Sequence, residues 1–202
     1  VVEGDINAGG VAGAMAVESM LDPEEDIERV GDDSFSFHYE TRAILLNCEN
    51  RVPVTSKKDY AGGIVGRMDL GYILDCRNYG NVESTDGSYV GGIAGSSAST
   101  IRRSQSKCMT SGKNFVGGIA GDGYNLTENL AFVSIGDGEM YCGAIAGRVD
   151  DEGEISSNRF VENGSAGIDG VSYAGKAEPI SYESLMAEEN APEEFGKFTL
   201  TY

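Results

Sequence analysis

The sequence predicts an all-β protein: a parallel β-solenoid (right-handed β-helix) of about six rungs, with one inserted loop and a C-terminal helix-strand cap. Three observations lead to this fold class. A glycine-rich pattern of seven residues recurs, beginning at positions 7, 60, 89, 115 and 141, and its later copies are 26 to 29 residues apart. The apolar runs within each period have only the length of strands. Stacking such short units buries a continuous core that a single unit cannot form.

The glycine-rich copies share a Gly-Gly or Gly-Ala pair followed by an aliphatic residue. In a narrow coil, small residues allow a tight bend and a close approach of neighbouring backbones. Equivalent residues of successive rungs then stack about 4.8 Å apart. We therefore expect Ile64, Ile93, Ile119 and Ile145 to form a ladder. A degenerate sixth copy at 173–175 completes the count of about six rungs.

A second pattern lies between the glycine-rich copies, in which an aliphatic residue is followed three positions on by Cys, Ser or Asn. It supplies another short strand to each rung, and the handedness of parallel crossovers predicts a right-handed coil. The alternative fold is an antiparallel arrangement such as a propeller, whose periods of about 40 residues are longer. The second pattern begins at Leu45, Ile73, Ile101, Leu126 and Ile155.

The repeats divide the chain into four segments. Residues 1–13 are a partial first rung, 14–44 an acidic insertion, 45–178 the solenoid repeats and 179–202 a C-terminal cap. Because the chain starts in the middle of a repeat unit and without Met, we expect it to be a segment of a longer protein.

Both the insertion and the cap contain signals of their own. In the insertion, Asp22 is placed to cap a helix and Pro23 to occupy its first position. The alternation at 35–39 then indicates a strand. In the cap, 181–189 predicts a short helix and 198–202 a closing strand.

Composition and charge restrict the classes of function. Glycine supplies 29 of 202 residues, yet proline supplies only 4 and hydrophobic residues 40%, which argues against disorder. The 15 basic and 33 acidic residues give a net charge of −18, which excludes binding to a nucleic-acid backbone. No apolar run approaches the roughly 18 residues of a membrane span. We therefore expect no nucleic-acid partner and no membrane insertion within this segment.

Together the two patterns resemble the GLUG repeat: Gly-Gly-Ile-Ala/Val-Gly, a short polar turn, then Ile-x-x-Cys-x-Asn-x-Gly-x-Val. The best match is 62–82, and 91–109 and 117–135 support it. The resemblance covers roughly 45–149, with a detached copy at 9–13.

GLUG repeats occur in large secreted or wall-attached bacterial proteins, including adhesin-like proteins and the non-catalytic part of immunoglobulin A1 metalloproteases. The insertion and the tail resemble uncharacterised repeat proteins of gut Firmicutes. The resemblance implies an extracellular or cell-surface β-helical module. It implies no activity, since the His-Glu-x-x-His motif of the metalloproteases is absent from the sequence.

One repeat position is aromatic and should form a column along the solenoid. It could be a strip that binds a sugar or a peptide, or a stacked column inside or flanking the core. Strict alternation with the buried isoleucine four residues later favours the structural interpretation, unless the Gly-Gly pair breaks the alternation. The column consists of Tyr60, Tyr89, Phe115, Tyr141 and Tyr173.

The four cysteines are predicted to be reduced and to serve packing. Cys48 and Cys76 share a repeat position one rung apart, where stacked parallel side chains have poor torsion geometry for a disulfide. Cys142 replaces the valine of sister copies, and Cys108 has no obvious partner. Without Cys-x-x-Cys or paired histidines, no metal site is expected.

Catalytic signals are weak. The single histidine, His38, has no nucleophile motif near it. A pair of carboxylates that cleaves a glycoside is an alternative that the sequence leaves open, because 33 acidic residues provide many pairs. Parallel β-helices that cleave acidic polysaccharides use basic clefts, however, and the only basic pairs here are Lys57-Lys58 and Arg102-Arg103.

Acidic turns are the remaining candidates for a cation site. They lack the EF-hand spacing and the Gly-Gly-x-Gly-x-Asp repeat, so a solvated acidic surface is the simpler interpretation. These turns lie at 22–26, 32–33, 137–139 and 150–152.

The sequence thus predicts a non-enzymatic structural or adhesion module without a cofactor, a segment of a larger extracellular bacterial protein whose partner is an unknown protein or glycan. The first alternative is glycan binding through the aromatic column. The second is a polysaccharide-active β-helix enzyme.

Overall fold

A computed structural model describes residues 1–16, 43–136, 138–169 and 174–197. Its strands pair in parallel with the equivalent strands of the next turn, and they form a β-solenoid of about four turns. The predicted fold class is confirmed, although the prediction of about six rungs is slightly too high.

The described part of the chain contains one α-helix, α1 (Tyr182–Met186), one 3-10 turn (Glu193–Gly196) and many short strands. The strands, in chain order, are β1 (Val2–Gly4), β2 (Ala8–Gly9), β3 (Ala12–Met15), β4 (Ile44–Leu46), β5 (Glu49–Asn50), β6 (Val54–Ser56), β7 (Ala61–Gly62), β8 (Val65–Met68), β9 (Tyr72–Leu74), β10 (Arg77–Asn78), β11 (Val82–Ser84), β12 (Val90–Gly91), β13 (Ala94–Arg102), β14 (Gln105–Ser111), β15 (Asn114–Gly117), β16 (Ala120–Thr127), β17 (Leu130–Ile135), β18 (Met140–Gly143), β19 (Ala146–Val149), β20 (Ile155–Ser156), β21 (Asn158–Val161) and β22 (Ala177–Ile180).

Three parallel sheets form the faces of the solenoid. Sheet A has the order β1-β6-β11-β14-β17-β21-β22, with β5 and β10 alongside. Sheet B has the order β18-β15-β12-β7-β2, and sheet C has the order β19-β16-β13-β8-β3, with β4, β9 and β20 alongside. Each layer passes through sheets B, C and A in turn. The first layer is β2 to β6, the second β7 to β11, the third β12 to β14, the fourth β15 to β17 and the fifth β18 to β21, so that four turns connect five layers.

The residues that pair with the fifth layer are not the ones that the repeat pattern predicts. The backbone of Ala144 donates to the carbonyl of Ala166 at 2.7 Å, and Ile145 donates to Gly167 at 2.9 Å. Residues 166–168, rather than the predicted 173–175, therefore lie beside the fifth layer. Tyr173 itself lies outside the described residues, and Gly175 leads into β22.

The predicted isoleucine ladder fills the core. Ile64, Ile93, Ile119 and Ile145 are all fully buried. Their backbones bond from layer to layer, with N–H to carbonyl distances of 2.9, 3.0 and 2.8 Å. Burial of each aliphatic side chain contributes roughly 1.5–3 kcal/mol, so the ladder is a main source of stability.

The second pattern forms a corner ladder of polar side chains. Asn129 accepts a hydrogen bond from the backbone of Ser104 at 2.9 Å, and it donates to the carbonyl of Ile101 at 2.9 Å. Its amide also donates to Oδ1 of Asn158 at 2.9 Å. The backbone of Cys76 donates to Oγ of Ser104 at 3.2 Å, which continues the ladder into the second layer. These side chains satisfy backbone groups that the corner removes from the sheets.

Replacing Asn129 with alanine is expected to lower the free energy of unfolding by about 2 kcal/mol, because Ser104 and Ile101 lose their buried partner. Asn129→Ser should cost less, since serine occupies the same corner at position 104. Urea unfolding followed by circular dichroism measures both. Equal losses for the two variants would contradict the role of the corner hydrogen bonds.

The C-terminal segment extends sheet A and then folds against it. Strand β22 pairs with β21, and Ser181 caps α1 by accepting from the backbone of Ser184 at 3.1 Å. The helix predicted at 181–189 is thus present, though shorter. Leu185 and Phe195 are buried on the outer face of sheet A, where they pack against its side chains.

Two predicted elements cannot be compared with the structure. The predicted closing strand at 198–202 lies outside the described residues, as do Asp22, Pro23, His38 and the predicted strand at 35–39. The chain on either side of the insertion belongs to the solenoid, since β3 pairs with β8 and β4 with β9.

Candidate functional site

The aromatic repeat position forms a continuous stack that runs along the solenoid. The ring centroids of Tyr60 and Tyr89 lie 4.9 Å apart, those of Tyr89 and Phe115 4.7 Å, and those of Phe115 and Tyr141 4.8 Å. The angles between successive ring planes are 19°, 9° and 2°. These spacings match the distance between neighbouring strands, so the solenoid itself sets the stack.

The column lies on the outer surface, because its residues depart from the extended backbone in which side chains alternate between the two faces. Tyr60, Tyr89, Phe115 and Tyr141 all have positive φ angles, between 55° and 68°. A left-handed residue reverses the direction that alternation would give the side chain, and non-glycine residues adopt it only when the surroundings impose it. Tyr141 is 38% exposed and the other three rings are half-buried. Of the two structural placements that the sequence left open, inside or flanking the core, the column takes the second.

Two arginines border the column. The guanidinium of Arg67 lies 5.6 Å from the ring centroid of Tyr60 and donates to both oxygens of Asp69 at 2.8 Å. That of Arg148 lies 5.0 Å from the centroid of Phe115 and donates to Asp122 at 3.0 and 2.6 Å. The carboxylate of Asp122 raises the pKa of Arg148. Each arginine is thus charged and already paired, beside a half-buried aromatic surface.

This arrangement determines what the column can bind. Each inner ring has both faces covered by its neighbours, so a sugar ring cannot stack on Tyr89 or Phe115. The ring edges, the tyrosine hydroxyl groups and the flanking arginines stay available for hydrogen bonds. The column therefore suits a ligand that lies along it and bonds at its edge.

The stack also has a structural role that can be measured. Tyr89→Ala removes two ring contacts and is expected to cost about 1–2 kcal/mol of the free energy of unfolding. Tyr72→Ala, outside the column and 43% exposed, is the matched control and should cost under about 0.5 kcal/mol. Equal thermal unfolding midpoints for the two variants would show that the stack contributes nothing to stability.

All four cysteines are free thiols. Cys76 donates to the carbonyls of Leu74 and Leu45 at 3.3 and 3.5 Å, and burial raises its pKa to about 11. Burial also raises the pKa of Cys108 to about 12, and Cys142 pairs in register with Val116, as its repeat position predicts. Protonated, packed thiols are poor nucleophiles and poor metal ligands.

A groove of about 550 Å³ lies on the outer face of sheet A. On its wall, the guanidinium of Arg51 lies 4.9 Å from the ring centroid of Tyr79 and donates to Glu194 at 3.2 Å. The ammonium of Lys107 donates to the carbonyl of Glu194 at 2.8 Å and lies 5.9 Å from the centroid of Phe132. These side chains hold the C-terminal segment against the sheet.

This attachment was not predicted from the sequence, although a repeated position indicates it. The third residue after the Cys, Ser or Asn of the second pattern is Arg51, Tyr79, Lys107 and Phe132 in successive layers. A column of alternating basic and aromatic residues on an acidic protein indicates a surface that contacts another segment.

The pairing of Glu194 predicts a response to acid. Arg51 and Lys197 lower the pKa of Glu194 to about 2, so its contribution to stability is present above pH 4.5 and is lost as the pH falls toward 2. We expect exchange of the Leu185 amide hydrogen, corrected for intrinsic rate, to accelerate over that range. Glu194→Gln should flatten the response, and an unchanged response in that variant would assign the effect to other carboxylates.

Three residues of the two basic pairs bind carboxylates, whereas the acidic turns at 22–26 and 32–33 lie outside the described residues. Arg102 donates to Glu128 at 3.1 and 2.6 Å, and Arg103 donates to Asp75 at 2.8 Å through both nitrogens. Lys57 pairs with Asp5 at 2.8 Å. Within the described residues, no group of three or more His, Cys, Asp or Glu side chains could hold a metal ion. No helix in the same ranges is long and apolar enough to cross a membrane.

Comparison with protein-family models, with curated proteins and with solved structures gives no match to this chain. The resemblance to GLUG repeats stays a prediction from the sequence motifs.

Proposed function

We propose that the chain is a non-enzymatic structural module, a solenoid segment that acts as a spacer or adhesion surface in a larger extracellular bacterial protein. The observation that carries the proposal is that four recurring positions serve the coil itself. The isoleucines fill the core, the glycines allow neighbouring layers to approach, the corner asparagines and serines bond the backbone, and the aromatic residues stack outside.

A spacer needs a shape that resists bending and a surface that stays soluble. Here each layer bonds to the next in three sheets, and five layers at about 4.8 Å per step give a short rod. The net charge of −18 favours solubility and opposes self-association. The extracellular location is supported by the resemblance to GLUG repeats alone.

The enzymatic alternative requires carboxylates that are free to act on a substrate. Asp75, Asp122 and Glu128 are each bonded to an arginine. We expect no release of reducing ends when the folded chain is incubated with a panel of neutral and acidic polysaccharides. Turnover that Asp122→Asn or Glu128→Gln abolishes, with the fold retained, would overturn the proposal.

The exposed edge of the aromatic column favours one alternative, glycan binding without cleavage. A glycan array probed with the chain is the direct test, with Tyr141→Ala as the column variant and Tyr72→Ala as the matched control. Binding that the first variant loses and the second retains would assign the module to glycan recognition. Absence of binding leaves the spacer role. Tyr60, Tyr89, Phe115, Tyr141 and Tyr173 are the residues of this predicted site.

A further inference from the structure

The bend that follows β21 contains the only Asn-Gly pair of the sequence, Asn163-Gly164. Both residues are exposed. Gly164 has a φ angle of 87°, and a Cβ built on it would have no heavy atom within 4 Å. The pair therefore lies where no other part of the described chain crowds the glycine.

The backbone nitrogen of Gly164 is not engaged in a hydrogen bond. In the part of the chain that the structure describes, its N–H group donates to no acceptor, whereas Glu162 just before the pair donates to the carbonyl of Ile180 at 3.0 Å. Glycine also has no side chain that could shield this nitrogen. The nitrogen is thus accessible to a neighbouring electrophilic carbon.

The side chain of Asn163 supplies such a carbon, and two hydrogen bonds hold it in place. Its Oδ1 accepts from the backbone of Ser165 at 3.0 Å, which closes an Asx turn around Gly164. Its Nδ2 donates to the carbonyl of Val133 in β17. An Asx turn folds the side chain over the peptide bond that follows, so the Cγ atom of Asn163 is brought near the nitrogen of Gly164.

Asn190 provides a contrast within the same chain. It is also exposed, but the residue that follows it is Ala191, whose N–H group donates to the carbonyl of Glu188 at 3.1 Å. The nitrogen beside Asn190 is therefore both shielded by a methyl group and held in a hydrogen bond. Exposure of an asparagine does not by itself create the arrangement found at Asn163.

We propose that Asn163 is a self-modification site, at which the folded chain loses the side-chain amide with water as the only co-reactant. The nitrogen of Gly164 bonds to Cγ of Asn163, the bond between Cγ and Nδ2 breaks, and the proton of the Gly164 amide leaves with Nδ2 as ammonia. Water then opens the five-membered imide. Opening at Cγ gives aspartate, and opening at the main-chain carbonyl gives isoaspartate.

The product would change the groove on the outer face of sheet A. Asn163 and Ser165 line this groove, and among its described lining residues Arg51 and Lys107 are basic and none is acidic. A carboxylate at position 163 adds a negative charge to that wall. It cannot donate to the carbonyl of Val133, so the bend also loses its attachment to β17. The site goes beyond the proposed spacer role and does not depend on it.

The experiment incubates the full, folded chain in water enriched in heavy oxygen and maps its peptides by mass spectrometry. We expect position 163 to gain one solvent oxygen, and an isoaspartyl methyltransferase to label part of the product. Asn190 should keep its amide in the same digest. Retention of the Asn163 amide would overturn the proposal.

The rate decides whether the folded chain is the reacting species. A synthetic peptide of residues 158–168 gives the rate without the fold. We expect the folded chain to react at more than about one hundredth of that rate, because an unfolded fraction of roughly 10⁻³ or less could not sustain it. A slower reaction would mean that the fold protects Asn163, and it would overturn the proposal.

Three variants test the chemistry. Gly164→Ala should slow the reaction at least about tenfold, because a methyl group then shields the nitrogen. Ser165→Ala keeps the N–H group that closes the turn, so this matched control should leave the rate unchanged. Asn163→Gln would have to close a six-membered ring and should gain no oxygen. Equal rates for Gly164→Ala and Ser165→Ala, with both folded by circular dichroism, would overturn the proposal.

Discussion

Replacing Gly91 with alanine is expected to lower the free energy of unfolding by at least about 3 kcal/mol, at the upper end of the usual cost of overpacking. The new Cβ would lie 1.9 Å from the carbonyl oxygen of Ala94 and 2.9 Å from the Cα of Ala120 in the next layer. Both atoms belong to the backbone, so the turn within the layer and the spacing to the next layer must both change. The same clash recurs at Gly62 and Gly117.

The matched control is Gly4→Ala, whose Cβ would meet its nearest neighbour, the Cβ of Ala8, at an ordinary 3.4 Å. This variant should change the free energy of unfolding by under about 1 kcal/mol. Urea unfolding monitored by far-ultraviolet circular dichroism measures both variants. Equal unfolding midpoints would mean that the layers are spaced more loosely than the structure describes.

Truncating the middle of the isoleucine ladder should have an effect of similar size. Ile119→Ala leaves a cavity between Ile93 and Ile145, all of them fully buried, and is expected to cost about 4 kcal/mol. Val11→Ala removes methyl groups from the exposed end of the same ladder and should cost under about 1 kcal/mol.

Ile119→Val separates the loss of volume from the loss of the ladder position, and it should cost about 1 kcal/mol. All three variants are compared by urea unfolding, with the same dependence of the unfolding free energy on urea concentration applied to each. A cost for Val11→Ala as large as for Ile119→Ala would contradict the exposure of the Val11 side chain.

Much of the coil could be predicted from the chain alone because its signals are local and repeated. The Gly-Gly-Ile spacing predicted the ladder through Ile64 and Ile93, and the second pattern predicted the position at which Cys76 and Ser104 stack. A residue that recurs at a fixed period must meet the same surroundings in every layer. The residue type that the copies share at one repeat position therefore indicates whether that position is buried, exposed or at a corner.

The orientation of the aromatic column could not be predicted in the same way. Counting alternate residues assumes an extended backbone, whereas Tyr89 and Phe115 adopt left-handed angles that only the stacked layers stabilise. The last layer was also misplaced, since 173–175 carries the better sequence match and 166–168 makes the bonds. Where the repeat pattern is weak, hydrogen bonding to the preceding layer determines which residues continue the solenoid. The local sequence does not show which residues make those bonds.

By itself, then, the sequence determined the solenoid, its period, its core ladder and its free, packed cysteines, because these follow from side-chain size and spacing repeated along the chain. Only the tertiary structure decided that the aromatic column faces outward and that the C-terminal segment lies along sheet A. Each of these depends on which surfaces meet when distant parts of the chain pack together. Contact between distant residues is set by the whole fold rather than by any one repeat.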